Sequence, residues 1–120
     1  MVLVLWGIPL RLVLVYHATW LVNSATHRWG TVLHDSGDGS RNNPWVAALT
    51  FGEGWHNNHH AFPTSARHGL EWWQFDSSWL VIRGLQAVGL VRNVRVPTAE
   101  RKAAKLRSAR PAPVEVRDAA

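Results

Sequence analysis

The pentapeptide His56-Asn57-Asn58-His59-His60 places three histidines within five consecutive residues. On an α-helix, side chains at positions i, i+3 and i+4 share a face, so the imidazoles of His56, His59 and His60 can converge on one point or on two adjacent points. Neutral imidazole is a good ligand for zinc, iron, copper or nickel. Three histidines packed together without a metal would repel one another when protonated. The spacing therefore predicts that this segment forms part of a metal site.

A second candidate group consists of Asn23 and His27, which are four residues apart. The helical pattern is predicted to continue through them to about Gly30, so they would share one face of the helix. They lie at the end of an apolar stretch, where a site could meet both lipid chains and soluble partners. This position favours His27 as a further metal ligand. The isolated histidines His34 and His68 are predicted to be solvated or hydrogen-bonding side chains, and His17 to be a buried hydrogen-bonding one.

The apolar stretch covers residues 2–22 and is long enough for a membrane-spanning helix. A helix of about 20 such residues crosses the ~30 Å hydrocarbon core of a bilayer. Arg11 and His17 interrupt the stretch, and we expect them to face protein because either would be costly against lipid. A secretory signal and a buried helix of a soluble domain are the alternatives. The basic residues downstream predict that the C-terminal side of this helix is cytoplasmic.

The remaining pattern predicts helices without strands, and therefore an all-α chain. Residues 34–44 are turn-formers and are predicted to be a loop, whereas residues 45–51 are a short apolar stretch that favours a helix before the histidines. From Leu70 to Val91, apolar positions recur at three- and four-residue spacings, which favours one or two amphipathic helices. Residues 98–120 have few large apolar side chains and are predicted to be a basic tail, a frayed helix followed by disorder.

The net charge of +5 resides in the C-terminal part of the sequence. Residues 1–91 contain five basic and five acidic side chains, whereas residues 92–120 contain eight basic and three acidic ones. Because no stacking platform or recognition helix accompanies the basic residues, we expect no nucleic-acid partner. The sequence has no cysteine, which excludes thiolate metal sites, disulfides and iron–sulfur clusters within it. Its eight tryptophans are typical of an interface between apolar and aqueous surroundings.

Three segments closely resemble the C-terminal part of the membrane fatty acyl desaturases: residues 19–30 (TWLVNSATHRWG), residues 40–76, which contain GEGWHNNHH, and residues 82–91 (IRGLQAVGLV). The similarity is to the Δ9, stearoyl-CoA-type branch and its bacterial relatives. It implies an all-α, integral-membrane, histidine-rich di-iron fold with four membrane helices and a cytoplasmic cap. Residues 1–97 would be the C-terminal part of that fold, with a transmembrane helix at about 2–26 and a metal-binding cap at about 27–97.

The resemblance also implies a set of iron ligands. His56, His59 and His60 match the third histidine box of the family, and His27 matches the additional ligand in its NSxxH motif. Asn23 matches a residue that reaches one iron through a water molecule. The implied cofactor is a pair of iron ions, which histidines hold in the complete enzyme.

The implied activity is an O2-dependent desaturation that introduces a cis double bond, expected at Δ9, into a saturated acyl chain on coenzyme A or a lipid. Electrons would come from a donor of the cytochrome b or ferredoxin type. Trp20 and Trp55 are candidate walls of an apolar substrate channel beside the metals. Glu53 could orient a ligand imidazole by accepting a hydrogen bond from it.

The family's first two histidine boxes lie upstream of the segments that match. We therefore expect that a missing N-terminal half of the desaturase completes the site, and that the isolated chain is inactive. Two alternatives remain. One is a hydroxylase of the same di-iron membrane superfamily, although the residues of the NSATH and GEGWHNNHH motifs argue against it. The other is a non-catalytic, membrane-associated metal-binding remnant.

Overall fold

The computed structural model describes residues 2–106, and within this range it contains five α-helices and no β-strand. The helices are α1 (Val2–Ala25), α2 (Pro44–Leu49), α3 (His56–Ala61), α4 (Ser77–Ala87) and α5 (Ala99–Ala104). Isolated bridges between extended residues join Thr31 to Asn42, Asn42 to Trp55 and His34 to Leu106. The all-α expectation is confirmed for this part of the chain.

Helix α1 is the longest element and, at 24 residues, extends about 36 Å. Its length and apolar composition would allow it to cross a membrane. Among its residues only Val22 and Ala25 are buried. Nδ1 of His17 lies 2.8 Å from the carbonyl oxygen of Val13, so this imidazole bonds back onto its own helix. Such internal bonds satisfy polar groups on a helix in apolar surroundings. His17 is therefore hydrogen-bonded as predicted, but it is exposed and not buried among the described residues.

Helix α1 ends at Ala25, so His27 lies in the turn that follows and not on a helical face with Asn23. The sequence predicted that the helix would continue to about Gly30. Instead, the amide N–H of Trp29 donates to the carbonyl oxygen of Ala25 at 2.8 Å as the chain turns away from the helix. Gly30 then has a φ of +132°, a conformation that residues with a side chain rarely adopt and that cannot continue an α-helix. The turn, and not helical periodicity, sets the position of His27.

Apolar burial among the described residues consists of two small clusters together with the buried side chains of Ala47 and Trp55. The first cluster joins α1 to α2 through Val46, and the second joins the end of α3 to the following loop through Phe62 and Leu70. Helix α2 begins after Asn43, whose side-chain oxygen accepts the amide N–H of Val46 at 3.1 Å. This cap satisfies an N–H group that has no partner within the helix. With so small an apolar core, the cap depends on buried polar side chains for its shape.

Asn58 is at the centre of a buried hydrogen-bond network. Its side-chain amide donates to Oε1 of Gln74 and to the carbonyl oxygen of His68, both at 2.8 Å. Its Oδ1 accepts from Nδ2 of Asn42 at 2.8 Å and lies 3.1 Å from Nδ1 of His34. Because Asn58 is only 1% exposed, water cannot replace these bonds. The network ties α3 to the loops on both sides of it, and it gives His34 one of the two roles predicted for it.

Asn57 fixes the loop that follows α1. Its Oδ1 accepts the amide N–H groups of Leu33 at 2.9 Å and of His34 at 2.8 Å. Its Nδ2 donates to the carbonyl oxygen of His34 at 2.9 Å. A buried amide with both donor and acceptor satisfied pairs with extended backbone much as a neighbouring strand would. The two asparagines between the histidines therefore hold α3 in place.

Helix α4 is shorter than the amphipathic pattern predicted. Residues 70–76 form turns and irregular structure, and the helix begins only after Asp76, whose Oδ1 accepts the amide N–H of Trp79 at 2.9 Å. The other oxygen of Asp76 accepts the amide N–H groups of His68 at 2.8 Å and of Gly69 at 3.0 Å. These bonds hold the residues before Asp76 in a loop, which is why the helix does not extend further back.

The segment that was predicted to be a basic tail contains α5 (Ala99–Ala104). Nζ of Lys102 lies 2.9 Å from Oε1 of Glu71. Nζ of Lys105 donates to the carbonyl oxygen of Ala61, at the end of α3, at 2.6 Å. The structure therefore has a docked helix where the sequence predicted a frayed one, because the two lysines find partners on the cap. The rest of the predicted tail, residues 107–120, lies outside the described residues.

Gly54 precedes α3 at a point where no side chain fits. A Cβ on Gly54 would overlap the backbone of Ala47 and the carbonyl oxygen of Asn43. We expect Gly54→Ala to destabilise the cap by about 2–3 kcal/mol, because relief of the overlap requires backbone movement. The measurement is the midpoint of thermal unfolding in detergent. Gly84→Ala is the matched control: a Cβ there meets nothing within 4 Å, and alanine should stabilise α4 by about 0.5–1 kcal/mol. Equal midpoints for the two variants would contradict the expected clash.

Candidate metal centre

Three histidines from two separate segments come together at the junction of α1 and α3. His27 follows the end of α1, and His56 and His60 lie one turn apart on α3. The ring centroids are 5.3 Å apart for His27 and His56, 5.6 Å for His27 and His60, and 4.2 Å for His56 and His60. One nitrogen from each ring lies within 4.8 Å of the other two, so the group could hold a metal ion. The bridge between Asn42 and Trp55 brings the loop after α1 beside the start of α3.

Burial keeps His56 in the form that binds metals. The residue is 5% exposed, and neither of its ring nitrogens has a hydrogen-bond partner among the described residues. Burial, together with repulsion from His60, His27 and His59, lowers the pKa of His56 to about 4. A neutral imidazole is the form that donates its lone pair to a metal. A buried nitrogen without a partner costs free energy, which a bound metal would offset.

Asp38 holds the ring of His60. Oδ2 of Asp38 contacts Nδ1 of His60 as a charge-assisted hydrogen bond. Burial would raise the pKa of Asp38, but hydrogen bonds from Ser40, Ser36 and His60 outweigh it and hold that pKa well below its ordinary value. A carboxylate on one imidazole nitrogen orients the other nitrogen towards a metal and raises its basicity. Sequence reasoning missed Asp38, because an aspartate in a loop of turn-formers is normally interpreted as a turn residue.

His59 stands apart from the three clustered histidines. Its ring centroid is 6.1 Å from that of His56 and 5.6 Å from that of His60, but only 4.6 Å from that of His68. Burial, and then repulsion from His68, lowers the pKa of His59. Nδ1 of His59 is buried without a hydrogen-bond partner among the described residues. The three histidines of the pentapeptide are therefore not equivalent, because two of them cluster with His27 and the third lies against His68.

A cavity of about 480 Å³ lies beside the histidines. Its polar lining includes Asn23 and Glu53 together with the three histidines of α3. Its apolar lining comes from α1 and from the end of α2: Val15, Ala18, Val22, Leu49 and Phe51. The cavity therefore joins an apolar wall on the membrane-compatible helix to the polar groups of the candidate metal site. Asn23 and the three histidines of α3 share this space, whereas His27 is not in its lining.

The two tryptophans predicted as channel walls are not in the lining of this cavity. Trp20 is 63% exposed on α1. Trp55 is 3% exposed, its indole N–H donates to the carbonyl oxygen of Phe75 at 2.8 Å, and its ring meets that of Trp73 edge-on at 5.6 Å. Trp55 therefore stabilises the turn before α3, which is the commoner role of a buried tryptophan.

Glu53 was predicted to be an acceptor for a ligand imidazole, and the structure places it next to His68. Oε2 of Glu53 lies 3.7 Å from Nδ1 of His68, an ion-pair distance that is longer than a hydrogen bond. His68 was predicted to be a solvated or hydrogen-bonding histidine, but its side chain is only 17% exposed and packs on His59. A histidine eight residues beyond the box carries no spacing signal that would have identified this contact.

The donor set fits a histidine-ligated metal. Three imidazoles converge within 4.8 Å, and the most buried of them has two ring nitrogens without partners. Nitrogen donors without thiolate suit iron, zinc, copper or nickel. Three such ligands leave coordination positions of an octahedral ion open for water or for further protein ligands.

A model of the fatty acid desaturase family, described as "Fatty acid desaturase", matches residues 1–93. The chain belongs to the fatty acid desaturase family. The matched region includes α1 to α4 and all the histidines of the candidate site. The resemblance that the two motifs indicated is confirmed, and membership of this family together with the apolar helix α1 indicates association with a membrane.

The chain is also similar to several curated desaturases. It is 61% identical over 99 residues to the chloroplastic palmitoyl-monogalactosyldiacylglycerol delta-7 desaturase of Arabidopsis thaliana, covering 82% of the chain and 27% of the relative. It is 60% identical over 94 residues to the sn-1 stearoyl-lipid 9-desaturase of Synechocystis sp., covering 78% and 30%. It is 54% identical over 107 residues to the icosanoyl-CoA 5-desaturase of Limnanthes douglasii, covering 88% and 30%. The chain thus spans less than a third of the length of these desaturases.

Proposed function

We propose that this chain is the C-terminal segment of a fatty acyl desaturase, which introduces a cis double bond into a saturated acyl chain. The observation that carries the proposal is the convergence of His27, His56 and His60 beside a partly apolar cavity, in a chain of this family. The metal would be iron, for which an all-imidazole donor set is suitable. Thiolates, which an oxidising centre would attack, are absent from the sequence.

The histidines are divided between two adjacent metal positions in this proposal. His27, His56 and His60 bind one iron, and His59 binds at the adjacent position. Burial keeps His56 neutral, and Asp38 holds the ring of His60 so that its other nitrogen points at the metal. A bound di-iron centre would supply an O2-dependent oxidation in which one hydrogen leaves each of two adjacent methylene groups; O2, two electrons and two protons are consumed and two molecules of water form.

The remaining ligands would come from an N-terminal half that carries the family's first two histidine boxes. We further propose that α1 crosses the membrane and that the cap lies on the cytoplasmic side. A donor of the cytochrome b or ferredoxin type would supply the two electrons there. Asn23, on the wall of the cavity with the α3 histidines, would hold a water molecule towards one metal.

The apolar wall of the cavity would receive the acyl chain. Ala18 lies on that wall between Val15 and Val22. In a chimera of this segment with the rest of the Synechocystis desaturase, we expect Ala18→Phe to lower the ratio of longer-chain to shorter-chain products roughly tenfold. Loss of room for a methylene group typically costs about 1–3 kcal/mol of discrimination. Gas chromatography of membrane fatty acids measures the ratio. Val88→Phe, at an exposed position after α4, is the control and should leave the ratio unchanged. An unchanged ratio in Ala18→Phe would show that the acyl chain does not bind against this wall.

A chimera tests the proposal directly. The aligned segment of the Synechocystis desaturase would be replaced by the matching part of this chain, and the protein expressed in a host without such an enzyme. We expect about two iron ions per polypeptide and new monounsaturated chains, whereas this chain expressed alone should yield none. A second arm co-expresses the chain with the N-terminal part as a separate polypeptide. A chimera that inserts into membranes and folds, yet neither binds iron nor forms double bonds, would refute the proposal.

The position of the double bond needs a second chimera. We propose Δ9, but the relatives named above act at positions 9, 7 and 5 according to their names. The same segment would therefore be placed in the Arabidopsis delta-7 desaturase as well. Δ9 products from both chimeras would support a Δ9 activity set by this segment. Δ7 products from the second would assign the choice of position to the N-terminal half.

A further inference from the structure

His59 begins a row of three side chains, of which the other two, His68 and Glu53, lie outside the histidine box. The ring of His68 packs on that of His59 with centroids 4.6 Å apart and planes tilted by 43°. On the same ring, Nδ1 of His68 lies 3.7 Å from Oε2 of Glu53. The three side chains form a row of two imidazoles and a carboxylate beside the candidate metal site.

The backbone of His68 is fixed from both sides. Its amide N–H donates to Oδ2 of Asp76 at 2.8 Å, and its carbonyl oxygen accepts from Nδ2 of Asn58 at 2.8 Å. Gly69 adds a second N–H bond to the same carboxylate oxygen at 3.0 Å. Asp76 is 5% exposed and Asn58 is 1% exposed, so both anchors are buried. His68 is therefore held beside His59 by the same network that holds α3.

The turn that carries Glu53 is pressed against the same anchor. Gly52, immediately before Glu53, has a φ of +109°, and a Cβ there would overlap the side chain of Asp76. Gly54, immediately after it, leaves no room for a Cβ against the backbone of Ala47. The two glycines allow the turn to approach Asp76, which brings the carboxylate of Glu53 within ion-pair distance of His68.

His59 and His60 differ in what supports them. Nδ1 of His60 has a carboxylate partner in Asp38, whereas Nδ1 of His59 is buried and has no partner among the described residues. A histidine that binds a metal through one nitrogen usually donates the N–H of the other to an acceptor. The ring that packs most closely on His59 is that of His68. The carboxylate of Glu53 lies on the Nδ1 side of the His68 ring, which leaves Nε2 as the ring nitrogen of His68 that Glu53 does not approach.

We propose that His68, oriented by Glu53, is a positioning residue for His59. Its ring accepts the N–H at Nδ1 of His59 when Nε2 of His59 binds the metal. The proposal rests on the proposed function, in which His59 is a ligand. It assigns His59 a support of its own, separate from the aspartate that supports His60.

The experiment uses the Synechocystis chimera with three variants. His68→Phe keeps a ring against His59 but removes the acceptor, His68→Gln restores a polar acceptor, and Glu53→Gln removes the charge that orients His68. The readouts are the rate of iron release to an excess of chelator, the Mössbauer spectrum of bound iron, and the thermal midpoint of the iron-free protein. Glu71→Gln, whose carboxylate pairs with Lys102 instead, is the matched control for Glu53→Gln.

For His68→Phe we expect iron release about 10–100-fold faster than in the unmutated chimera, and an altered Mössbauer signal from one of the two irons. His68→Gln should recover most of the difference, Glu53→Gln should fall between the two, and Glu71→Gln should match the unmutated protein. The iron-free midpoints of Glu53→Gln and His68→Gln should not change, which separates positioning from folding.

Two results would overturn the role of His68. One is wild-type iron retention in His68→Phe, and the other is equal loss in His68→Phe and His68→Gln. Either can occur while the unmutated chimera binds iron and desaturates, so the proposed function would survive. An unmutated chimera without iron would instead refute the proposed function, and the role of His68 with it.

Discussion

His56→Ala in the Synechocystis chimera should release iron and lower desaturation by more than about a hundredfold. Replacing a residue that hydrogen-bonds to a metal ligand typically lowers metal affinity or activity about 10–100-fold. Loss of the ligand nitrogen itself should therefore have a larger effect. His56 is the most buried of the three clustered histidines, and neither of its ring nitrogens has another partner among the described residues. The substitution therefore removes no hydrogen bond from that part of the chain. The measurements are iron per polypeptide and the membrane content of monounsaturated chains.

His17→Ala is the control for this result. His17 is an exposed histidine of α1 whose Nδ1 bonds to its own helix, at Val13, and it does not line the cavity beside the histidine cluster. We expect iron content and product formation close to those of the unmutated chimera. If His56→Ala retained both its iron and its activity, His56 would not be a ligand, and the three-histidine cluster would lose its proposed role.

Asn58→Ala should destabilise the cap by about 3–5 kcal/mol, through loss of the network that holds α3. The substitution removes the partners of the buried side chains of Gln74, Asn42 and His34 and of one backbone carbonyl group. Each buried polar group left without a partner costs about 1–3 kcal/mol, and partial relaxation keeps the total below the full sum. The midpoint of thermal unfolding in detergent should fall, and iron should be lost at a lower temperature than in the unmutated chimera.

Gln86→Ala is the matched control, because Gln86 carries the same amide group at an exposed position of α4. Its effect should stay within about 0.5 kcal/mol, as for most surface substitutions. Similar thermal midpoints for the two variants would show that the buried network contributes little. In that case the position of α3 would have to depend on the bonds of Asn57, on the buried Trp55 and on the small apolar clusters.

Much of this arrangement follows from local patterns. The i, i+3, i+4 spacing of His56, His59 and His60 predicted a helix through the pentapeptide, and α3 (His56–Ala61) is that helix. The prediction succeeds because backbone helicity depends on near neighbours. The length and composition of residues 2–22 predicted the long apolar helix, which the structure ends at Ala25. The family was also accessible from the sequence, since the motifs around His27 and the pentapeptide are specific and the family match covers residues 1–93.

Two elements were not accessible because loop contacts decide them. Helix α4 starts at Ser77 and not near residue 70, since Asp76 holds the preceding residues in a loop with both of its carboxylate oxygens. Helix α5 forms because Lys105 reaches a carbonyl group at the end of α3, 44 residues earlier in the chain. Local apolar periodicity contains no information about such partners.

The sequence by itself therefore determined that this chain has an apolar helix, a histidine-rich helix and the motifs of a desaturase. Only the tertiary structure decided which histidines lie together: a turn brings His27 to His56 and His60, and His59 packs beside His68. The supports are equally non-local, because Asp38 reaches His60 across 22 residues. The physical reason is that helical spacing fixes only directions within one element, whereas buried hydrogen bonds between loops fix the distances between elements.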